Sequence, residues 1–133
     1  MRILIDTNIL ISALFYPFGK PAKALFHAAD NHDLILTDHN LSELRRIAKE
    51  KFKERQVDID LFLAELSYVL VSVPEAPQKL ISDPKDEPIL NAAIVAGVDI
   101  IISGDHHFLS LDLKRPKTLT AAEYLEYVGV EEE

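Results

Sequence analysis

The sequence predicts an α/β fold of three layers, with a central parallel sheet of about four to five strands flanked by helices. Three observations carry that prediction. Four short apolar runs, residues 2–5, 34–37, 69–73 and 99–103, are rich in Ile, Leu and Val and lack clean alternation, as parallel strands covered on both faces do. Segments with helical spacing of apolar residues fall between these runs. The chain has 133 residues, which suits one domain over 1–133 and a core burying about two-thirds of the unfolded surface.

The elements follow in order. Residues 2–5 are the first strand, and Asp6 ends the run inside Asp6-Thr7-Asn8, for which a simple turn is one reading. Pro21 suits the first turn of a helix through Ala22, Leu25, Phe26 and Ala29. The second strand is Leu34–Thr37. Asp38 is the expected N-cap of a helix with Leu41, Leu44, Ile47 and Ala48 on one side. Asp58 or Asp60 starts a further helix through Leu61, Leu63, Leu66 and Val69, so residues 39–68 hold two helices in one crossover. A third strand covers 69–73. Pro88 suits the first position of a helix through Ile89, Leu90, Ala93 and Ile94, terminated by Gly97. The fourth strand covers 99–103 and a weaker fifth covers Lys117–Thr120. Thr120 then caps a last helix through Ala121, Tyr124, Leu125 and Val128. Glu131-Glu-Glu133 reads as a solvated tail.

Composition excludes several classes. There is no Cys, so disulfides and Cys-based zinc sites are ruled out. No apolar run approaches the roughly 18 residues of a membrane helix, and the run after Met1 is too short for a signal-peptide core. A soluble, cytoplasmic protein is the expectation. The net charge of −8 opposes general polyanion binding. Residues 45–55 are nevertheless basic, as are Lys114, Arg115 and Lys117, and these read either as solvated faces or as local patches for a nucleic acid.

In an open parallel sheet all strands point their carboxyl ends to one edge, where the following helices begin and ligands bind. Asp6 and Asp105 lie at or just beyond strand ends, Asp86 at a helix start and Glu43 about one turn into another helix. The topology sends all four toward one rim. Each also has an ordinary explanation: a strand stop for Asp6, a dipole-favoured first-turn acid for Glu43, an N-cap for Asp86, a turn for Asp105. Gathered carboxylates repel, by about 4 kcal/mol for a pair 4 Å apart at an effective dielectric near 20. A cation relieves this, and oxygen donors without Cys favour Mg2+ or Mn2+. His106 and His107, directly after Asp105, read as exposed loop residues, with contact to metal or substrate as the alternative. Asp99 reads as solvent-facing and lies outside the set.

These residues resemble the PIN-domain family of metal-dependent ribonucleases, in particular its VapC-type toxin members. The motifs are Ile5-Asp6-Thr7-Asn8, Leu41-Ser42-Glu43-Leu44, Asp86-Glu87-Pro88-Ile89 with Ala92-Ala93 and Gly97, and Ile102-Ser103-Gly104-Asp105. The resemblance runs from residue 1 to about 125. It departs at His107, where many members carry a further acid, and Asp83 or Glu87 competes with Asp86 as third ligand. The resemblance implies hydrolysis of an RNA phosphodiester, with Asp6 and Asp105 as direct metal ligands and Asp86 direct or through water. Glu43 would position or deprotonate the attacking water. Thr7 and Asn8 would orient Asp6 or contact the phosphate, and Ser103 would support the site by hydrogen bonding. It also implies an antitoxin protein as partner, and a homodimer. Phe15, Tyr16 and Phe18 are either an interaction patch or a buried group.

Two other classes stay open. A receiver-like Mg-binding signalling domain would need an acceptor Asp at the end of its central strand, and Val71-Ser72-Val73-Pro74 supplies none. A non-catalytic binding module on the same fold would bind metal and cleave no RNA.

Overall fold

Mostly apolar segments spread along the chain build one parallel sheet. The computed structural model describes residues 1–51, 59–72, 93–94, 96–104 and 116–129. Its strands are β1 (Arg2–Ile5), β2 (Asp33–Thr37), β3 (Val69–Val71), β4 (Ile100–Ile102) and β5 (Lys117–Leu119). Their order is β3-β2-β1-β4-β5, and every pairing is parallel. Ile3 lies between Leu34 and Ile100, and Leu4 between Ile35 and Ile101. The helices are α1 (Thr7–Phe15), α2 (Lys20–Asn31), α3 (Asp38–Lys51), α4 (Ile59–Ala64) and α5 (Ala121–Tyr127), with residues 93–94 also helical. This is the expected three-layer α/β fold.

Alternate residues of each strand serve opposite faces. Ile3, Ile5, Leu34, Leu36, Ile100 and Ile102 join one core with Leu10, Leu25, Leu44, Tyr124 and Leu125 from α1, α2, α3 and α5. Leu4, Ile35 and Ile101 face the other way and meet Ala93 and Val98. Burial on both faces explains why the strands read as continuous apolar runs. β3 departs from this. Val69 and Leu70 are exposed because β3 is the edge of the sheet, with β2 as its neighbour.

Helix ends follow local chemistry. At Asp6-Thr7-Asn8 the chain does not take the simple turn that was one reading but starts α1, with Asp6 as its N-cap. At α3 the expected cap, Asp38, lies inside the helix, and its carboxylate accepts from the next backbone N–H, His39. The capping bond is made one residue earlier. Thr37 Oγ1 accepts from the Asn40 N–H at 2.9 Å, while Asn40 Oδ1 accepts from the Thr37 N–H at 3.0 Å. This is a reciprocal capping box with Asn in the third position. Thr120 and Glu123 form another at α5, as expected. Gly97 sits at φ 67° and ends the helix at 93–94, with Val98 N–H to Ala93 O and Gly97 N–H to Ile94 O closing a Schellman motif.

Among its described residues, the crossover from β2 to β3 holds the two helices α3 and α4. α4 begins at Ile59, with Asp60 in its first turn, and Arg45 on α3 pairs with Asp60 at 2.8 Å. Leu63 and Leu66 are buried, but Leu61 points to solvent. Arg45 and Arg46 are exposed and paired with Asp60 and Glu50, so this part of the basic run is a solvated face. Asp99 is not solvent-facing as expected. Its carboxylate accepts from the Arg2 N–H at 2.8 Å, tying β4 to β1 at the end of the sheet opposite the strands' carboxyl ends. No helix among the described residues is long and apolar enough to cross a membrane.

Candidate functional site

The strand order reverses at β1. From β1 the chain steps outward through β2 and β3, then returns to β4 on the other side. The crevice beyond the carboxyl ends of adjacent strands at such a reversal is where open α/β sheets bind ligands. Among the described residues, Asp6 after β1, Thr37 at the end of β2 and Ser103 after β4 stand there.

Backbone bonds set the first pair. The Asp6 N–H donates to Ile102 O at 3.0 Å and the Ser103 N–H to Leu119 O at 2.9 Å, so both residues continue the ladder past the strand ends. Their side chains then meet. Ser103 Oγ donates to Asp6 Oδ2 at 2.9 Å, and the Thr7 N–H donates to Asp6 Oδ1 at 2.7 Å. Asp6 is 3% exposed and Ser103 is fully buried. Asp6 also sits at the N-terminus of α1, where the helix dipole favours a negative charge.

Thr7 carries the network onward. Its Oγ1 donates to Glu43 Oε1 at 3.0 Å and accepts from Asn40 Nδ2 at 2.9 Å. Glu43, one turn into α3, is thereby tied to the residue that follows Asp6. His39 Nε2 lies 2.9 Å from Glu43 Oε1, one helical turn away, close enough for an ion pair when the ring is protonated but without hydrogen-bond alignment.

Of the predicted site residues, the structure brings Asp6, Thr7, Ser103 and Glu43 into one connected set. Asn8 is exposed on the first turn of α1. Asp86 and Asp105 lie outside the described residues, as do Asp83, Glu87, His106, His107, Lys114 and Arg115. Among the described residues no three His, Cys, Asp or Glu side chains cluster as a metal site. The donor chemistry present nonetheless fits a hard divalent cation: two carboxylates, each oriented by a neutral N–H or O–H donor. Asn40 and His39 escaped the sequence reading. Asn40 was detectable, because it stands three residues after Thr37, at capping-box spacing. Of the three aromatics read as either a patch or a buried group, Phe15 is buried against the core, while Tyr16 and Phe18 are exposed.

A model of the PIN domain matches residues 2–107. The fold is similar to a solved chain of the VapBC2 complex from Rickettsia felis, a complex bound to a DNA fragment from its promoter. The two are 17% identical, with a TM-score of 0.68, over 90% of this chain and 98% of that one. No curated protein matches the sequence. The five-stranded order with Asp6 at its reversal also differs from the 2-1-3-4-5 order of receiver domains. With a matching family model over most of its length and a fold that agrees, the chain belongs to the PIN-domain family.

Proposed function

We propose that this chain is a metal-dependent endoribonuclease that hydrolyses RNA phosphodiester bonds, and that it is the toxin component of a toxin–antitoxin pair. The observation that carries the reading is the linkage of two acids at the switch point: Asp6, held by Thr7 N–H and Ser103 Oγ, and Glu43, held by Thr7 Oγ1. Family membership supports the same reading, as does a fold neighbour from a VapBC complex.

Asp6, Asp86 and Asp105 would hold Mg2+ or Mn2+, with Glu43 completing the site. When bound, the cation supplies charge neutralisation at the attacked phosphate and makes water more acidic. Glu43 orients that water or takes its proton. Ser103 and Thr7 hold the Asp6 carboxylate in one orientation, so little rearrangement precedes the reaction. A small antitoxin would obstruct the acidic rim, the active form would be a homodimer, and the compartment would be the cytoplasm.

The test is cleavage of single-stranded and structured RNA with Mg2+ or Mn2+, comparing the wild type with Asp6→Asn and Asp105→Asn. Loss of cleavage in both variants is expected. Equal activity of wild type and Asp6→Asn would remove Asp6 from the mechanism. Mn2+ should also raise the melting temperature of the wild type, and less so in either variant. Binding of Mn2+ with no cleavage of any RNA would favour the non-catalytic module instead. Sedimentation of the purified chain reports the dimer.

A further inference from the structure

Asn40 is fully buried, polar and three residues from Glu43 on the same helix. Its amide orientation follows from its partners. The Thr37 backbone N–H can only donate, so the Asn40 atom 3.0 Å from it is the acceptor Oδ1. The other amide atom, Nδ2, is then the one that faces Thr7 Oγ1 at 2.9 Å. An amide nitrogen only donates, so Thr7 Oγ1 accepts there. The single hydroxyl hydrogen of Thr7 is left for Glu43 Oε1, 3.0 Å away, which as a carboxylate only accepts. Each bond in this series has its direction set by the one before it, beginning at a backbone group of β2.

We propose that Asn40 is a positioning residue of the acidic site, acting through Thr7 to fix the Glu43 carboxylate relative to Asp6. The proposal rests on the nuclease reading above. Asn40 touches neither carboxylate in the bonds described. It sets the direction of the Thr7 hydroxyl, and it locks the start of α3 to the start of α1, the two elements that carry Glu43 and Asp6. Without its Nδ2, Thr7 Oγ1 loses the donor that orients it, and its bond to Glu43 is less constrained. The capping bond from residue 40 to Thr37 Oγ1 uses a backbone N–H and survives any substitution except Pro.

The experiment measures the Mn2+ dissociation constant by calorimetry, at a temperature where each variant is fully folded, together with kcat and KM for RNA. The proteins are wild type, Asn40→Ala, Thr7→Val, Thr7→Ser and the Asn40→Ala/Thr7→Val double variant. Asn40→Ala and Thr7→Val should each weaken Mn2+ binding about 10- to 100-fold, the usual range for outer partners of metal ligands. Both should lower kcat with KM little changed. Thr7→Ser, which keeps the hydroxyl, should stay close to the wild type. The double variant should be no worse than Thr7→Val, since Asn40 acts through Thr7. If Asn40→Ala does not fold, Asn40→Ser takes its place: it offers an acceptor to Thr37 but is too short to reach Thr7. An Asn40 variant that loses thermal stability yet keeps its Mn2+ affinity within about twofold overturns the proposal, as do Asn40 and Thr7 effects that multiply independently. A wild type that neither binds Mn2+ nor cleaves RNA overturns the nuclease reading, and the proposal falls with it.

Discussion

Replacing Ser103 with Ala removes one donor from a nearly buried carboxylate. Ser103 is fully buried and its hydroxyl donates to Asp6 Oδ2 at 2.9 Å, while Asp6 itself is 3% exposed. Water therefore has little room to replace the lost partner. A hydrogen bond to a charged group contributes about 1.5–3 kcal/mol, against about 0.5–1.5 for a neutral pair. Ser103→Ala should thus cost about 1.5–3 kcal/mol, or a melting temperature lower by about 5–11 °C in a chain of this size. The measurement is urea unfolding in EDTA, so that no cation contributes. Repeating it in an Asp6→Asn background separates charge assistance from simple loss of a hydroxyl. With a neutral amide at position 6, the same Ser103→Ala change should cost about 1 kcal/mol less. Equal losses in the two backgrounds, or a loss under about 0.5 kcal/mol in the wild type, would refute the view that Ser103 supports an ionised Asp6.

Further expectations concern parts of the fold away from the rim. Burial pushes the Tyr124 phenol up from 10.0 to about 12, so its contribution to stability is complete below pH 10 and is lost as pH rises through about 12. Tyr124→Phe should flatten that alkaline loss, seen by comparing urea unfolding at about pH 9 and about pH 11.5, while costing about 1 kcal/mol at neutral pH for the 2.8 Å bond to His27 Nδ1. Gly97→Ala places a Cβ at φ 67° and should destabilise by about 1–2 kcal/mol in chemical denaturation; an unchanged midpoint would dissociate the Schellman motif from stability. Arg45→Ala should cost no more than about 1 kcal/mol in the same assay, because its pair with Asp60 is solvent-exposed.

Much of this architecture was legible in the sequence, because a doubly covered parallel strand leaves a plain mark. Leu4 and Ile101 serve one face, Ile3, Ile5, Ile100 and Ile102 the other, so no position was free to be polar. Thr120 with Glu123, and Gly97, were equally readable, since each bears its local signature in residues three apart or at a single glycine. α1 was not legible. Its residues Thr7–Phe15 are apolar almost all round, with Ile9, Leu10, Ala13 and Phe15 buried and Ile11 and Leu14 packed against the same core, so the polar face that marks a surface helix is missing. Thr37 was hidden by its double duty as last strand residue and helix cap, and Asp38 beside it offered the more familiar capping side chain. The acids themselves were readable as positions at strand ends. Their neutral partners were not, since buried Ser, Thr and Asn acquire meaning only once the strands are set side by side.

That set of partners bears on how the rim would suit the proposed cation. Ser103, Asp6 and Thr37 stand at the ends of three adjacent strands, β4, β1 and β2. Neighbouring strands are about 4.8 Å apart, a gap that one short side chain can bridge. Ser103 bridges it to Asp6 on one side, and Asn40 and Thr7 bridge between the β2 and β1 ends on the other. A Lys or Arg in any of these places would also orient a carboxylate, but it would cancel the charge. A neutral hydroxyl or amide fixes direction and leaves the charge for another partner. Under the proposed reading, two carboxylates tied to one residue through its backbone N–H and its hydroxyl would keep negative charge at the rim, and a divalent ion would neutralise it on binding. The short neutral side chains at the rim would then serve the proposed site twice, holding carboxylate oxygens in one orientation without themselves cancelling the charge.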